Sequence, residues 1–321
     1  MLYSFLKIVV GLALKIFCRK VLINKPELLK EKGPLILACN HPNSFLDAVL
    51  LDVIFKEPIW SLTRGDAFIN KFVGKVLLSL RMLPVYRPSE GVENLSENYK
   101  TFDECIEIFK KNGVVLIFSE GLCVNEWHFR SLKKGTARLA IKCQDENIPL
   151  KILPVGINYS SFTRFGKNIF VNFGNLFTME GLDANAAEGT RNLAFNENLK
   201  KELTPLVFEI NKVDKKEQKK LLEIVPSATK KILLIVPSIL GWLIHAPLYL
   251  PARYFVFKNF KGTVHNDSVL IAVLFIAYPL YLLLIVLTLF FITSSSWVFL
   301  LFLLLPFTVW SHVQLKGQLD K

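Results

Sequence analysis

From Ser268 to Leu315 the chain carries no Asp, Glu, Lys or Arg. An uncharged apolar run of that length needs apolar surroundings on every side, and a bilayer supplies them. Its first part, Val269 to Ile292, is long enough to cross about 30 Å of hydrocarbon as a helix. Thr293 to Ser296 break it, and Trp297 to Val313 follow, shorter but with Trp297 and Trp310 suited to the two interfaces. The pattern predicts a transmembrane hairpin over 269–292 and 297–313. An earlier apolar stretch, 232–250, is interrupted by Pro237, Gly241, His245 and Pro247 and precedes the basic residues Arg253, Lys258 and Lys261. A full span there would place that basic loop outside, against the positive-inside tendency, so the stretch reads as re-entrant or interfacial. The N-terminal residues 1–20 are also apolar but have no basic region before the run and no small-residue cleavage site after it. With Lys7, Lys15, Arg19 and Lys20 reaching back to water, they read as an uncleaved interfacial membrane helix.

A formal charge of +12 suits nucleic acid, anionic lipid or a phosphorylated substrate alike. The apolar segments select lipid, and without an RNA-binding or zinc-finger signature no nucleic-acid partner is expected. Five widely spaced cysteines, Cys18, Cys39, Cys105, Cys123 and Cys143, form no CxxC pair. They point to a reducing compartment and so to a catalytic domain on the cytoplasmic face of the membrane, with no metal.

Between the membrane-facing ends, apolar runs of strand length alternate with helical periodicity. The runs are Pro34–Cys39, Ile59–Leu62, Met82–Tyr86, Val114–Phe118, Ile152–Ile157 and Ile169–Phe173. The clearest helix covers Leu95 to Asn112, where Leu95, Tyr99, Phe102, Ile106 and Phe109 share one face. The class is α/β, a sheet flanked by helices. The Lys/Glu-rich stretch 212–220 closes this domain, giving an N-terminal helix (1–20), a catalytic domain (21–220) and a membrane-embedded C-terminal region (221–321).

Chemistry collects where strands end. The first strand runs into Asn40-His41-Pro42-Asn43-Ser44-Phe45-Leu46-Asp47. Taking the proton from an attacking hydroxyl needs a base, which an imidazole supplies near neutral pH, and a carboxylate behind the ring fixes its tautomer. His41 and Asp47 fit those roles only if no helix runs through both, because six residues on a helix put them about 240° apart. Pro42 biases His41 away from the helical region, so a helix starting near Ser44 would leave His41 in a turn facing Asp47. The same residues also read as Ser44 and Asp47 capping that helix. Later strand ends bring Arg87, able to hold a phosphate or to be a surface arginine, and Ser119-Glu120-Gly121, either a polyol-binding loop or a solvated turn.

In order along the chain, His41-Pro42-Asn43-Ser44-Phe45-Leu46-Asp47, Leu83-Pro84-Val85-Tyr86-Arg87, Phe118-Ser119-Glu120-Gly121 and Leu153-Pro154-Val155 resemble the four motifs of the glycerol-3-phosphate and lysophosphatidate O-acyltransferase family. The resemblance covers about residues 20–220. It implies a mixed, mostly parallel sheet with flanking helices, His41 as base, Asp47 as its partner and Arg87 as phosphate ligand. It further implies substrate contacts from Asn43, Ser44, Ser119, Glu120 and Gly121, an acyl-CoA or acyl-carrier-protein thioester as donor, a phosphate-bearing acceptor and no cofactor. Five residues separate His41 from Asp47, as in the branch that includes glycerol-phosphate acyltransferases, which tilts the acceptor toward the simple phosphate. Arg81 and Ser119 replace the family's usual Gly and Pro, and the loop Leu122–Phe129 places Trp127 and His128 near the presumed acceptor. Arg64, Arg81, Lys133 and Lys134 are further candidates at the mouth. A lysophospholipid or lyso-aminolipid acyltransferase, a lipid thioesterase and an inactive membrane adaptor are the alternatives, although no Gly-x-Ser-x-Gly elbow serves hydrolysis. Oligomeric state stays open.

Overall fold

The computed structural model of the chain describes residues 2–86 and 97–320. Helix α1 (Leu2–Phe17) runs directly into strand β1 (Cys18–Ile23). The sheet continues with β2 (Leu35–Cys39), β3 (Ile59–Arg64), β4 (Met82–Val85), β5 (Val114–Phe118), β6 (Lys151–Tyr159), β7 (Lys167–Phe173) and the short β8 (Phe177–Thr178). Its order is β1-β7-β6-β2-β5-β3-β4, with β8 also on β6. Strands β2 to β6 pair in parallel, while β7 runs antiparallel to β6 and β1 follows β7. The sheet is therefore mixed and mostly parallel, as expected. Strand β1 is an addition, for Cys18 to Lys20 read in the sequence as the end of the N-terminal helix. β1 forms because β7 offers it an open edge, a long-range cause that local periodicity does not register.

Alternation along the central strands sorts the core. On β2, Leu35, Leu37 and Cys39 pack with Leu46, Leu50 and Leu51 of α2 (Phe45–Ile54). Ile36 and Ala38 face α4 (Glu97–Lys110), α5 (Gly135–Asp145) and α6 (Glu188–Leu203), meeting Phe109, Ala140 and Phe195. Both faces are covered, which is why these strands are apolar throughout. The start of the expected 95–112 helix lies outside the described residues. Helix α3 (Lys71–Ser79) precedes β4, and α7 (Lys215–Leu222) occupies the stretch read as a linker.

Helix α1 buries Leu14 and Phe17 and leaves Leu2, Phe5, Ile8 and Leu12 exposed as an apolar stripe. After α7 come α8 (Ala228–Asn259), α9 (Asn266–Thr293) and α10 (Leu301–Leu315), the last preceded by a 3-10 turn. Among the described residues, α8, α9 and α10 taken together with that turn (Ser296–Leu315) are long and apolar enough to cross a membrane. Segment 232–250 is not broken: Pro237, Pro247 and Pro251 all lie inside the continuous α8. Gly241 lets α8 approach α10 closely, since a Cβ there would sit 2.1 Å from the Thr308 carbonyl oxygen.

Candidate active site

Because β2 to β6 run in parallel, their C-terminal ends share one edge of the sheet, with Cys39 level with Phe118 and Val155. The loops leaving that edge carry the chemistry. Asn40 anchors the first of them: its amide donates to the Ile157 carbonyl (3.0 Å) and accepts from the Ile157 N–H (2.7 Å). That two-point pairing continues the strand by one residue and sets where His41 stands.

Helix α2 begins at Phe45, and the chain turns before it through Ser44 at φ 52°. A left-handed conformation is uncommon for serine, and here the Ser44 N–H donates to Cys123 Sγ (2.9 Å). The turn brings His41 Nδ1 to 2.9 Å from Asp47 Oδ2. The capping alternative is not realised, for Ser44 makes no side-chain bond to the first turn of α2. Asp47 is fully buried, and a carboxylate in that position costs several kcal/mol unless hydrogen-bonded, on the order estimated for buried ions. Its oxygens accept from the Asn43 N–H (2.8 Å) and the Tyr159 hydroxyl (2.8 Å) besides facing His41. Burial and the Asp47 carboxylate push the Tyr159 phenol well above its ordinary pKa, so it remains a donor. The His41 ring stacks on Phe118, with centroids 3.8 Å apart and planes 13° apart. Among the described residues no side chain bonds its Nε2, the nitrogen left for a substrate.

The Ser119–Gly121 turn stands behind this pair. Glu120 accepts from the His41 N–H through Oε2 (3.0 Å) and from the Arg130 N–H through Oε1 (2.9 Å), tying two loops together. Burial raises its pKa against the opposing pull of those two N–H groups. Ser119 Oγ lies 2.9 Å from Thr136 Oγ1. Gly121 adopts φ +66°, and a Cβ there would lie 2.8 Å from Lys133 Cγ, so the turn needs glycine twice over. Asn43, Ser44, Ser119 and Glu120, expected to face the substrate, are all buried and each makes hydrogen bonds inside the protein, while Asn43 Oδ1 has no partner among the described residues. Glu120 and Asn43 thereby bond the loop that carries His41 and Asp47. The N–H groups at the helix start are likewise committed, Asn43 to Asp47 and Ser44 to Cys123.

Arg64 ends β3 on the same edge and pairs with Asp66 at 2.5 Å. Lys133 and Lys134 are exposed at the start of α5, beside Gly121. Arg81 sits elsewhere: it precedes β4, at the opposite edge, with its guanidinium 5.1 Å from the Tyr3 ring and 5.3 Å from the Trp60 ring. The strand direction thus removes it from the mouth. Arg87 lies outside the described residues. Trp127 is core, its indole N–H donating to the Tyr159 carbonyl (2.7 Å), whereas the exposed His128 lies 2.6 Å from Glu209.

Sequence reasoning missed the residues that reach the loop from the C-terminal region. Asn43 donates to Asp267 Oδ2 (2.8 Å), Ser268 donates to the Asn43 carbonyl (3.1 Å), and His265 Nδ1 stands 2.6 Å from Ser44 Oγ. Asp267 also pairs with the wholly buried Lys167. Burial, together with Arg64 and His41, lowers the His265 pKa, which favours the neutral ring at this contact. A signal existed, since Asp267 is the charge immediately before the uncharged run, and ionisable groups at such positions tend to be functional.

A histidine backed by a buried carboxylate, with its outer nitrogen free of protein nucleophiles, has the geometry to act as a base on a hydroxyl that the substrate brings. Residues 20–158 match the family model described as Acyltransferase. The matched segment contains His41, Asp47 and Glu120 and stops one residue short of Tyr159. No curated protein matches the chain. Among solved structures it is similar to the 1-acyl-sn-glycerophosphate (LPA) acyltransferase PlsC from Thermotoga maritima, at 18% identity and a TM-score of 0.41 over 60% of this chain and 73% of that one.

Proposed function

We propose that the protein transfers a fatty acyl group from an acyl-CoA or acyl-carrier-protein thioester to the hydroxyl of glycerol-3-phosphate or a lysophospholipid, at the cytoplasmic face of a membrane. The observation that carries this reading is the His41–Asp47 contact of 2.9 Å with Asp47 wholly buried, inside the segment matched to the acyltransferase family. His41 Nε2 takes the acceptor's hydroxyl proton while Asp47 stabilises the imidazolium. The oxygen attacks the thioester carbonyl, the C–S bond breaks, and the leaving thiolate recovers the proton. No acyl-enzyme forms. Lys133 and Lys134 supply positive charge beside the Glu120–Gly121 turn, where a phosphate-bearing acceptor would approach.

The position of the polar contacts supports a membrane placement. Helices α9 and α10 form the transmembrane hairpin, entered at Asp267 and left at Gln314, whose amide donates to the Arg19 carbonyl. Helix α8 lies along the membrane face, for both its ends touch the polar part of the protein. Lys230 donates to Gln314 (2.6 Å) and Arg253 to the Thr163 carbonyl (2.9 Å). Those residues are about 35 Å apart along a straight helix, and a spanning helix would carry one of them to the far side.

The test is acyl transfer by the detergent-purified protein from radiolabelled palmitoyl-CoA, and separately from acyl-carrier protein. The acceptors are glycerol-3-phosphate, lysophosphatidate, lysophospholipid and lyso-aminolipid. Ester formation on one of them, lost in His41→Ala, establishes the reaction and its acceptor. Full turnover by His41→Ala, or no transfer from either donor, sinks the proposal.

A further inference from the structure

Three cations gather at the turn between β6 and β7, and among the described residues none of them is ion-paired. Lys316, at the end of α10, lies 5.8 Å from the Phe165 ring and 5.7 Å from the Tyr249 ring. Arg253 of α8 donates to the Thr163 carbonyl (2.9 Å) and reaches the Tyr249 hydroxyl (3.4 Å). Arg164, in the turn itself, places Nη1 3.1 Å from where a Cβ on Gly317 would be. Among the described residues, none of the three has a carboxylate within salt-bridge distance, and neither the Arg164 guanidinium nor the Lys316 ammonium donates a hydrogen bond to protein. The two carboxylates of the region accept from other groups. Asp320 accepts from Ser161, Thr163 and the Phe162 N–H, and Asp267 from Lys167 and Asn43.

Such an arrangement stores repulsion. Burial together with Arg164, Arg253 and Lys167 lowers the Lys316 pKa to about 8 against the opposing pull of Asp267. Folding would be expected to disperse three like charges over the surface, yet here the β6–β7 turn, α8 and α10 hold them around an aromatic patch of Phe165, Tyr249 and Phe257, the last 4.3 Å from Arg253. Aromatic rings beside basic groups at the ends of apolar helices are the composition of a membrane interface, where anionic headgroups concentrate.

We propose that Arg164, Arg253 and Lys316 form a binding site for a phosphate group, supplied by an anionic glycerophospholipid and separate from the His41 centre. Arg164 and Lys316 donate to its oxygens, Arg253 adds charge from the side, and the acyl chains lie along the exposed apolar residues Leu250 and Tyr254 of α8. The proposal rests on the placement of α8 and α10 at a membrane and is independent of the acyl-transfer reaction.

Native mass spectrometry of the full-length, detergent-purified protein with added phosphatidylglycerol, phosphatidylcholine or inorganic phosphate tests it. The wild type is expected to retain phosphatidylglycerol over phosphatidylcholine. Arg164→Gln with Lys316→Gln is expected to lower retention about 10-fold or more, the scale of lost charge-assisted hydrogen bonds. Lys212→Gln with Lys216→Gln, an equal charge change on exposed residues, is expected to leave it unchanged. If the double glutamine variant fails to fold, Lys316→Met, which suits the half-buried position, carries the same expectation of reduced retention. Equal retention of the two lipids by wild type, or undiminished retention in the variant that folds, overturns the site. Phosphate binding that displaces phosphatidylglycerol at equal concentration overturns the lipid as its occupant.

Discussion

The segment matched to the acyltransferase family and the segment after residue 222 are both rich in apolar residues, and they are organised in opposite senses. In the first, apolar residues of the central strands alternate between two covered faces of a sheet, as Leu35 and Leu37 do against Ile36 and Ala38, and these four are buried. In the second, Ile232, Trp242, Ile276, Leu284, Phe291 and Leu303 stand exposed, while Ser238, His245, Ser268, Thr308, Ser311 and Gln314 are buried. The contrast says where specificity resides. In water, apolar contact drives packing and polar groups locate it at a few braces. Where lipid is the solvent, apolar contact discriminates little, so small and polar residues mark the helix contacts. The Asp267 cluster is the joint between the two regimes, one residue from the uncharged run and bonded to the loop that carries His41.

Substitutions in each segment put this contrast to the test. His41→Ala strikes the first segment where it is densest in polar bonds, and turnover should fall by roughly 10²- to 10⁴-fold, the span of general-base catalysis. Thermal unfolding should stay near wild type, because the ring is at the mouth and not in the core. Asp267→Ala removes the joint and strands the Lys167 charge in a wholly buried place. A loss of about 3–5 kcal/mol is expected from thermal or denaturant unfolding in detergent. Lys167→Met with Asp267→Leu should recover much of it, and if the double variant is no more stable than the single one, the pair is not what joins the two segments.

Gly241→Leu tests the second segment, where a side chain would meet the Thr308 carbonyl. Forcing α8 from α10 should cost about 1–3 kcal/mol, as overpacking does, and an unchanged melting temperature would show that the approach is dispensable. Tyr159→Phe deletes one hydrogen bond to Asp47, worth about 0.5–1.5 kcal/mol, and should lower kcat with KM unchanged if it acts by orienting the pair. Arg81→Ala is the smallest: at the opposite edge from His41, it should leave KM for a phosphate-bearing acceptor unchanged. A several-fold rise in KM would return Arg81 to the acceptor site.

Much of the first segment is legible in the amino-acid sequence. The apolar strands, the amphipathic α4 and the chance for His41 to meet Asp47 through a turn at Pro42 all follow from contacts within a few residues. What escapes such reading has a common cause. Tyr159 is 112 residues from Asp47, and Asp267 is 224 from Asn43, so no local periodicity links them. The loop residues Asn43, Ser44, Ser119 and Glu120 are legible as a group, but whether they face substrate or brace His41 depends on what fills the space around them. Arg81 shows the same limit, since its edge of the sheet follows from the direction of β4.

The amino-acid order thus dictates what is local and additive: the strands of an α/β sheet, a charge-free hairpin, and a histidine and an aspartate that a turn can join. Packing in three dimensions selects which edge each loop occupies, adds β1 to the sheet, and docks α9 on the His41 loop through Asp267. Buried polar groups take their partners wherever the fold brings a matching donor or acceptor, however distant in the chain, and that choice is made only when the elements pack.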